Sequence, residues 1–143
     1  MPIPARISIV TLGVSDLRRS TAFYERLGWT LASSSSEQIS FFKTAGGVLA
    51  LYPYPLLAED TNLPAVARSA FGGVTLAINV DTPEQVQPAL DAAVAAGGKI
   101  LKRAIKASWG GVSGYFADPD GYPWEVAWGP QSLIRPDGSL EVP

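Results

Sequence analysis

Apolar and polar residues alternate along residues 6–14, and this period of two predicts a β-strand. Ser15 and Asp16 can then cap a helix, whose apolar residues recur at helical spacing until Gly28 offers a left-handed end. Serine-rich and glycine-rich turns separate three further apolar runs, which we expect to be strands. These runs are residues 29–34, 38–43 and 48–52. The first half of the chain therefore predicts the order β-α-β-β-β.

The second half repeats this order after residues 53–71, a segment rich in Pro and small residues that predicts a loop. A predicted strand over residues 73–80 precedes a clear helix start. There Thr82 can cap, Pro83 takes the first helical position and Gln85 can complete a capping box. The helix should end near residue 96, at a pair of glycines. Strands are then predicted over residues 99–104, 114–117 and 124–128, and the last two flank a turn at residues 118–121.

The matching order of elements indicates an internal duplication. Three apolar positions in the first strand, Val10, Leu12 and Val14, match Leu76, Ile78 and Val80 at a constant offset. We therefore predict two paired modules inside one domain that spans residues 1–143. The first module covers residues 5–53 and the second residues 72–129, with a linker at 54–71 and a tail at 130–143.

Composition limits the possible partners. A chain of 143 residues with 47% hydrophobic residues can bury one substantial core. A net charge of −2 disfavours DNA and RNA, because phosphate binding needs a concentrated positive surface. No apolar stretch approaches the roughly 20 residues that span a bilayer, and the N-terminus lacks the pattern of a signal peptide. We expect a soluble cytoplasmic protein with no nucleic acid or membrane partner.

Two motifs point to a family. The chain has Val-Thr-Leu-Gly-Val-Ser-Asp-Leu at residues 10–17 with Phe-Tyr-Glu-Arg-Leu-Gly at 23–28, and Phe-Ala-Asp-Pro-Asp-Gly-Tyr-Pro-Trp-Glu at 116–125. In this order and at this separation they resemble the vicinal oxygen chelate superfamily, which includes glyoxalase I, extradiol dioxygenases, fosfomycin-resistance transferases and bleomycin-resistance proteins. The resemblance covers nearly the whole chain. It implies an α+β fold in which two βαβββ modules form a curled mixed sheet around a shared cavity, and it implies a homodimer.

The metal enzymes of that superfamily use His, Gln and Glu ligands on the first and last strands of both modules. Carried over by position, the ligand set falls on Ile9, Ala50, Thr75 and Glu125. One carboxylate with one hydroxyl cannot supply the donors that divalent iron, zinc, nickel or manganese requires. The resemblance therefore implies a branch without the metal site, and we expect no metal and no cofactor.

Candidate chemistry is limited because the chain has no His and no Cys. A Ser-His-Asp triad, an imidazole base and a cysteine nucleophile are excluded. The resemblance directs Glu125 into the cavity, where it could act as a general base while Tyr115 polarises a carbonyl. The alternative is a structural carboxylate that hydrogen-bonds its neighbours or water.

Aromatic residues suggest an apolar pocket. Trp124, Val126 and Trp128 alternate with Glu125, so we expect them to pack beneath a helix. Trp109 lies in a predicted loop, where it could cover a pocket or pack on the loop itself. Three further residues, Tyr52, Phe42 and Tyr115, could form pocket walls, and Thr75 could contact a ligand.

Two functions from different classes follow from the sequence. The first is a metal-independent protein, similar to the bleomycin-resistance branch, that binds a small, partly aromatic molecule in the cavity between the modules or in a dimer cleft. The second is a lyase or isomerase of the superfamily that uses Glu125 as its base. The missing ligand set favours the first, and the retained carboxylate favours the second.

Overall fold

A computed structural model describes residues 3–66 and 70–142 of the chain. Three α-helices and nine strands follow one another in it. The strands are β1 (Ile9–Val14), β2 (Ser40–Lys43), β3 (Val48–Pro53), β4 (Leu76–Asn79), β5 (Lys99–Lys106), β6 (Val112–Ala117), β7 (Pro123–Trp128), β8 (Leu133–Ile134) and β9 (Leu140–Glu141). The helices are α1 (Leu17–Arg26), α2 (Tyr54–Thr61) and α3 (Val86–Ala95), and a 3₁₀ turn at Pro83–Gln85 leads into α3. The predicted α+β class is confirmed.

Both modules use the same strand topology. In the first sheet the order is β1-β3-β2, with β1 parallel and β2 antiparallel to β3. In the second sheet the order is β4-β7-β6-β5, with β4 parallel to β7 and the remaining pairs antiparallel. Thr11 lies beside Ala50 in the first sheet, and Ala77 lies beside Glu125 in the second. The predicted duplication is thus present in the curled mixed sheets.

Local signals place the ends of the helices. Asp16 accepts a hydrogen bond from the backbone N–H of Arg19 at 3.1 Å, and α1 ends before Gly28, whose φ is 95°. At the turn that leads into α3, the Gln85 side chain accepts a hydrogen bond from the backbone N–H of Thr82 at 3.1 Å. These features confirm the predicted helix starts, although the first turn at Pro83 is 3₁₀.

The predicted strand over residues 29–34 is wrong. Its contact with the sheet is a single bridge between Leu31 and Phe42. The hydroxyl of Ser35 accepts a hydrogen bond from the backbone N–H of Phe41 at 2.9 Å. The backbone N–H of Ser36 donates a hydrogen bond to the carbonyl of Ile39 at 2.8 Å. Serine thus competes for the backbone groups that a strand ladder would use.

The segment predicted as a loop at residues 53–71 contains helix α2. Pro55 stands in its first turn, and Asn62 ends it with a φ of 61°. The loop prediction counted Pro as a breaker, although Pro at a helix start is favourable. The remaining part of the segment includes residues 67–69, which lie outside the described residues.

One hydrophobic core serves both modules. Phe23 of α1 packs against Phe116 of β6, with ring centroids 6.2 Å apart, and Tyr24 packs against Trp124 of β7 at 6.0 Å. Val126 is buried, and Trp128 packs against the core. The predicted inward packing of Trp124, Val126 and Trp128 is confirmed.

The turn at residues 118–121 fastens the second module to α1. The Tyr24 hydroxyl donates to the buried Asp118 carboxylate at 2.7 Å, and the Trp124 indole N–H donates to the Tyr24 oxygen at 3.1 Å. Burial raises the pKa of Asp118, although hydrogen bonds from Tyr24 and Tyr122 oppose the shift. Burial also raises the pKa of the Tyr24 hydroxyl, and the charge of Asp118 adds to the effect. The family motif at this turn therefore connects the two modules through hydrogen bonds, and we call the contacts of Tyr24, Asp118 and Trp124 the joint between the modules.

Asp120 of the same turn holds the start of α1. Its carboxylate accepts hydrogen bonds from the backbone N–H and the hydroxyl of Ser15 at 2.8 Å, and from the hydroxyl of Ser20 at 2.7 Å. The Arg19 guanidinium lies 3.6 Å away. Together these contacts fix the orientation of α1 relative to β7.

The tail forms a hairpin from β8 and β9. Its turn is closed by a hydrogen bond from the N–H of Gly138 to the carbonyl of Arg135 at 2.8 Å, and Gly138 has a φ of 90°. A Cβ atom on Gly138 would lie 3.2 Å from the Cβ of Ala45. The hairpin thus lies close to the turn between β2 and β3.

Candidate functional site

A groove of about 890 Å³ separates the first sheet from the second. Aliphatic side chains of β1, β3 and β4 form much of its inner surface, and two tryptophans add aromatic area. These residues are Val10, Leu49, Leu76, Ile78, Trp29 and Trp124. All six also belong to the core or pack against it, so the groove continues the core to the surface.

Trp29 forms the boundary between core and groove. It follows Gly28, whose left-handed backbone redirects the chain after α1. Its ring lies 5.6 Å from the ring of Trp124 in an edge-to-face arrangement and 5.5 Å from the ring of Tyr24. The side chain is half-buried. Contacts with the core hold the Trp29 ring in place, and the same ring lines the groove. Trp29 therefore offers a preorganised aromatic surface.

The C-terminal hairpin covers part of the groove. Ile134 of β8 and Leu140 of β9 line it, as do Gly138 and Ser139. The turn Thr44–Gly47 between β2 and β3 contributes to the same side, where the carbonyl of Gly47 accepts hydrogen bonds from the N–H and hydroxyl of Thr44. Because Gly138 of the hairpin lies close to Ala45 of this turn, the two elements together form one side of the groove.

The groove has few polar groups. Among its described lining residues, Lys43 is the only one that carries a charge. The hydroxyl and amide groups come from residues on its walls and mouth, namely Ser8, Thr30, Ser33, Thr44, Asn79 and Ser139. A mainly apolar cavity with a few polar groups is the usual composition of a small-molecule site.

Glu125 alternates with the buried residues Trp124 and Val126 along β7, so its side chain leaves the opposite face of the strand. Glu125 and Tyr115 are direct partners across β6 and β7. Desolvation raises the pKa of Tyr115, and the charge of Glu125 and a hydrogen bond to it add to the shift. Tyr115 therefore stays protonated at neutral pH and can donate a hydrogen bond.

The structure separates the predicted ligand-binding residues. Phe42 is fully buried in the core, where its ring lies 5.9 Å from that of Tyr24. Tyr52 lies in β3, opposite Gly13, and Thr75 is exposed just before β4. Trp109 is 55% exposed and lies against Gly111, on the loop between β5 and β6. The groove lining does not include these residues, Tyr115 or Glu125.

The positions implied for a metal do not form a suitable donor set. Ile9 and Ala50 have no donor atom in their side chains, and Thr75 offers one hydroxyl. Within residues 3–66 and 70–142, no group of three or more Asp or Glu side chains could hold a metal ion. The residues present therefore do not fit the metal site of the superfamily's enzymes.

Sequence reasoning missed Trp29 and the hairpin residues Ile134 and Leu140. The sequence pattern places Trp29 in a strand and residues 130–143 in a tail. A usable signal was present, since Trp29 directly follows the glycine that ends α1 and precedes the serine run. A large aromatic residue between two chain reversals is suited to the edge of a pocket.

No helix in residues 3–66 or 70–142 is long and apolar enough to cross a membrane.

The family model of the glyoxalase/bleomycin resistance protein/dioxygenase superfamily matches residues 6–126. No protein with a curated description matches the chain significantly.

Solved structures are similar over most of the chain. A glyoxalase-related enzyme from Fulvimarina pelagi is 37% identical, covers 97% of this chain and 99% of its own, and has a TM-score of 0.89. A glyoxalase/bleomycin resistance protein/dioxygenase from Nocardioides is 28% identical over 90% of this chain and 85% of its own, with a TM-score of 0.73. Lactoylglutathione lyase from Agrobacterium tumefaciens is 25% identical over 88% of this chain and 95% of its own, with a TM-score of 0.66. With two modules whose strands are arranged in matching order and the family-model match over residues 6–126, the chain belongs to the glyoxalase/bleomycin resistance protein/dioxygenase superfamily.

Proposed function

We propose that this protein binds a small, partly aromatic organic molecule in the groove between its modules, without a metal ion. The groove of about 890 Å³ carries the proposal, because apolar side chains and two tryptophans line it. Cavities of roughly 300–1,000 Å³ with such walls are typical of small-molecule sites.

The geometry of Trp29 supports an aromatic ligand. Its contacts with Tyr24 and Trp124 hold the indole in place before a ligand arrives. A fixed ring loses little conformational entropy on binding, and stacked or edge-to-face rings add about 0.5–1.5 kcal/mol beyond the area that they bury. Contact with the Trp29 ring would therefore contribute more binding free energy for an aromatic ligand than for an aliphatic ligand of equal size.

Binding can be tested with a neutral aromatic dye, N-phenyl-1-naphthylamine, whose fluorescence rises in apolar sites. Wild-type protein should give a saturable signal, and Trp29→Ala should weaken it roughly ten-fold through lost stacking and apolar contact. Trp109→Ala is the matched control, since Trp109 is exposed on the loop between β5 and β6 and should leave the affinity unchanged. Equal affinity in wild type and Trp29→Ala, or no saturable binding at all, would contradict the proposed groove.

A homodimer forms part of the proposal. Ile7 and Val74, which precede β1 and β4, are 74% and 64% exposed, and exposed apolar residues often mark association surfaces. Light scattering after size-exclusion chromatography should give twice the chain mass. If the mass is that of one chain at micromolar concentration, the groove must bind its ligand within a single subunit.

A second candidate is a lyase or isomerase that uses Glu125 as general base. The cross-strand contact of Glu125 with Tyr115 favours it, because a carboxylate base beside a protonated phenol could remove a proton while the phenol polarises a carbonyl. The proton would move from a carbon next to the carbonyl to the carboxylate, and the phenol would hydrogen-bond the developing enolate oxygen.

This chemistry can be tested by NMR in D₂O with a panel of enolisable carbonyl compounds. Enzymatic deuterium exchange next to the carbonyl should disappear in Glu125→Gln and fall sharply in Tyr115→Phe, while both variants stay folded. Exchange at the buffer rate for every compound, or unchanged exchange in Glu125→Gln, would exclude this role for the pair.

A further inference from the structure

We propose that the groove selects organic anions, and that Lys43 holds the carboxylate, sulfonate or similar group of an otherwise aromatic ligand. This inference rests on the proposed binding function and adds the charge class of the ligand. Its basis is the position of one cation at the mouth of an otherwise uncharged groove.

Lys43 is the last residue of β2 and pairs with Val48 of β3. The chain reverses directly after it, in the turn that ends at Gly47. Both Lys43 and the residues of this turn line the groove. The strand pair therefore fixes the backbone of Lys43 beside the opening, and its long side chain can reach an anionic group there.

The ammonium group of Lys43 is available for a ligand. Within the described ranges it makes no hydrogen bond or ion pair with a protein side chain. The acidic residues of the neighbouring hairpin have other partners, since Glu141 lies 3.9 Å from Arg135 and Asp137 accepts hydrogen bonds from Ser139 at 2.6 and 2.9 Å. The hairpin thus covers the groove without providing a counter-charge to Lys43.

The apolar walls strengthen the effect of one charge. An interaction between opposite charges grows as nearby water is replaced by protein, because the local dielectric constant falls. No carboxylate is among the groove's described lining residues, so an anionic ligand meets no opposing charge there. A cationic ligand would be repelled by Lys43 and would find no carboxylate among these residues.

A purely structural role for Lys43 predicts a different result. Lysine at a strand end is common, since its charge discourages edge-to-edge association, and such a residue would not influence ligand choice. The two roles can be separated with a pair of dyes. The anionic 8-anilinonaphthalene-1-sulfonate differs from the neutral N-phenyl-1-naphthylamine by its sulfonate.

The experiment measures the affinity of both dyes for wild type, Lys43→Gln and Lys102→Gln. Lys102 is the matched control, because it is an exposed lysine on β5 of the second sheet and does not line the groove. We expect Lys43→Gln to weaken binding of the sulfonate dye roughly five-fold, the upper range for an ion pair with an exposed lysine such as Lys43. The neutral dye should bind Lys43→Gln as it binds wild type, and Lys102→Gln should match wild type for both dyes.

The outcomes separate this inference from the function on which it rests. If both dyes bind through Trp29 but Lys43→Gln changes neither affinity, selection by Lys43 is overturned and the binding function stands. An equal loss for Lys43→Gln and Lys102→Gln would also overturn it, since general charge would then be the cause. If neither dye gives saturable binding that depends on Trp29, the groove itself is not the site and both proposals fall.

Discussion

The outer edges of the two modules differ, although their sheets share one topology. The second sheet ends in β5, which has eight residues and pairs with β6. The corresponding segment of the first module, residues 29–34, keeps only the bridge between Leu31 and Phe42. In the first module this segment turns away from the sheet and lines the groove. Where the second module has an outer strand, the first module thus has a segment that forms a wall of the groove.

The same comparison separates the two candidate chemistries. The first module contributes Trp29 and Lys43 to an apolar groove, whereas the second pairs Glu125 with Tyr115 outside the groove lining. At the position equivalent to Glu125, the first module has Ala50. A repeated fold therefore supports different surfaces, because the fold fixes backbone positions while the side chains decide the chemistry.

The largest effect is expected at the joint between the modules. Asp118→Ala leaves the buried Tyr24 hydroxyl and two backbone N–H groups without their acceptor. The free energy of unfolding, measured in urea, should fall by about 3 kcal/mol. Asp137→Ala is a suitable control because the Asp137 carboxylate also accepts hydrogen bonds within a turn, from the backbone N–H and hydroxyl of Ser139, but is exposed. Equal losses for the two variants would show that the buried acceptor is unimportant.

The joint should also make stability depend on alkaline pH. Tyr24 has a raised pKa in the folded state, so above about pH 10 the unfolded chain loses this proton first. The corresponding stability is present below that pH and is lost as the pH rises. Urea midpoints between pH 8 and 11 should fall more steeply for wild type than for Tyr24→Phe. Parallel curves would contradict an ionisation of Tyr24 on unfolding.

A smaller effect is expected where the first module departs from the second. Ser35→Ala removes the side-chain hydrogen bond to the N–H of Phe41 and should cost about 1 kcal/mol in the free energy of unfolding. Amide hydrogen exchange at Phe41 should become faster. Ser34→Ala, at an exposed neighbouring position, should change neither quantity. Unchanged exchange in Ser35→Ala would mean that serine does not hold this segment off the sheet.

The smallest effect is expected in the hairpin. Arg135 and Glu141 are both about half exposed, so Arg135→Ala should change the free energy of unfolding by at most about 0.5 kcal/mol. Ile134→Ser should instead weaken binding of N-phenyl-1-naphthylamine, because Ile134 lines the groove. A larger stability loss for Arg135→Ala than for Ile134→Ser would show that charge, and not apolar contact, positions the hairpin.

Local sequence patterns predict most of the fold. Asp16 and Gln85 mark helix starts by short-range hydrogen bonds, and Trp124 and Val126 alternate with Glu125 in a way that identifies the buried face. The strand predicted at residues 29–34 is wrong because the Ser35 hydroxyl accepts a hydrogen bond from the backbone N–H of Phe41, and this contact outweighs strand propensity. Hydrophobic periodicity does not reveal such a side-chain contact.

The candidate site is less accessible to sequence reasoning. Trp29, Leu76 and Leu140 are distant in the chain and meet only because the modules and the hairpin pack together. Lys43 looks like an ordinary lysine at a strand end, and its position beside the groove depends on where the hairpin lies. Family motifs identified the scaffold, but the motif at residues 118–121 serves as a joint, so its presence does not locate a ligand.

The most direct test is a crystal structure of the protein with 8-anilinonaphthalene-1-sulfonate. We expect the aromatic rings to contact Trp29 and Trp124, with the sulfonate within hydrogen-bond distance of the Lys43 ammonium group. Dye bound on the Glu125 and Tyr115 face, or against Trp109, with no dye in the groove would contradict the central claim.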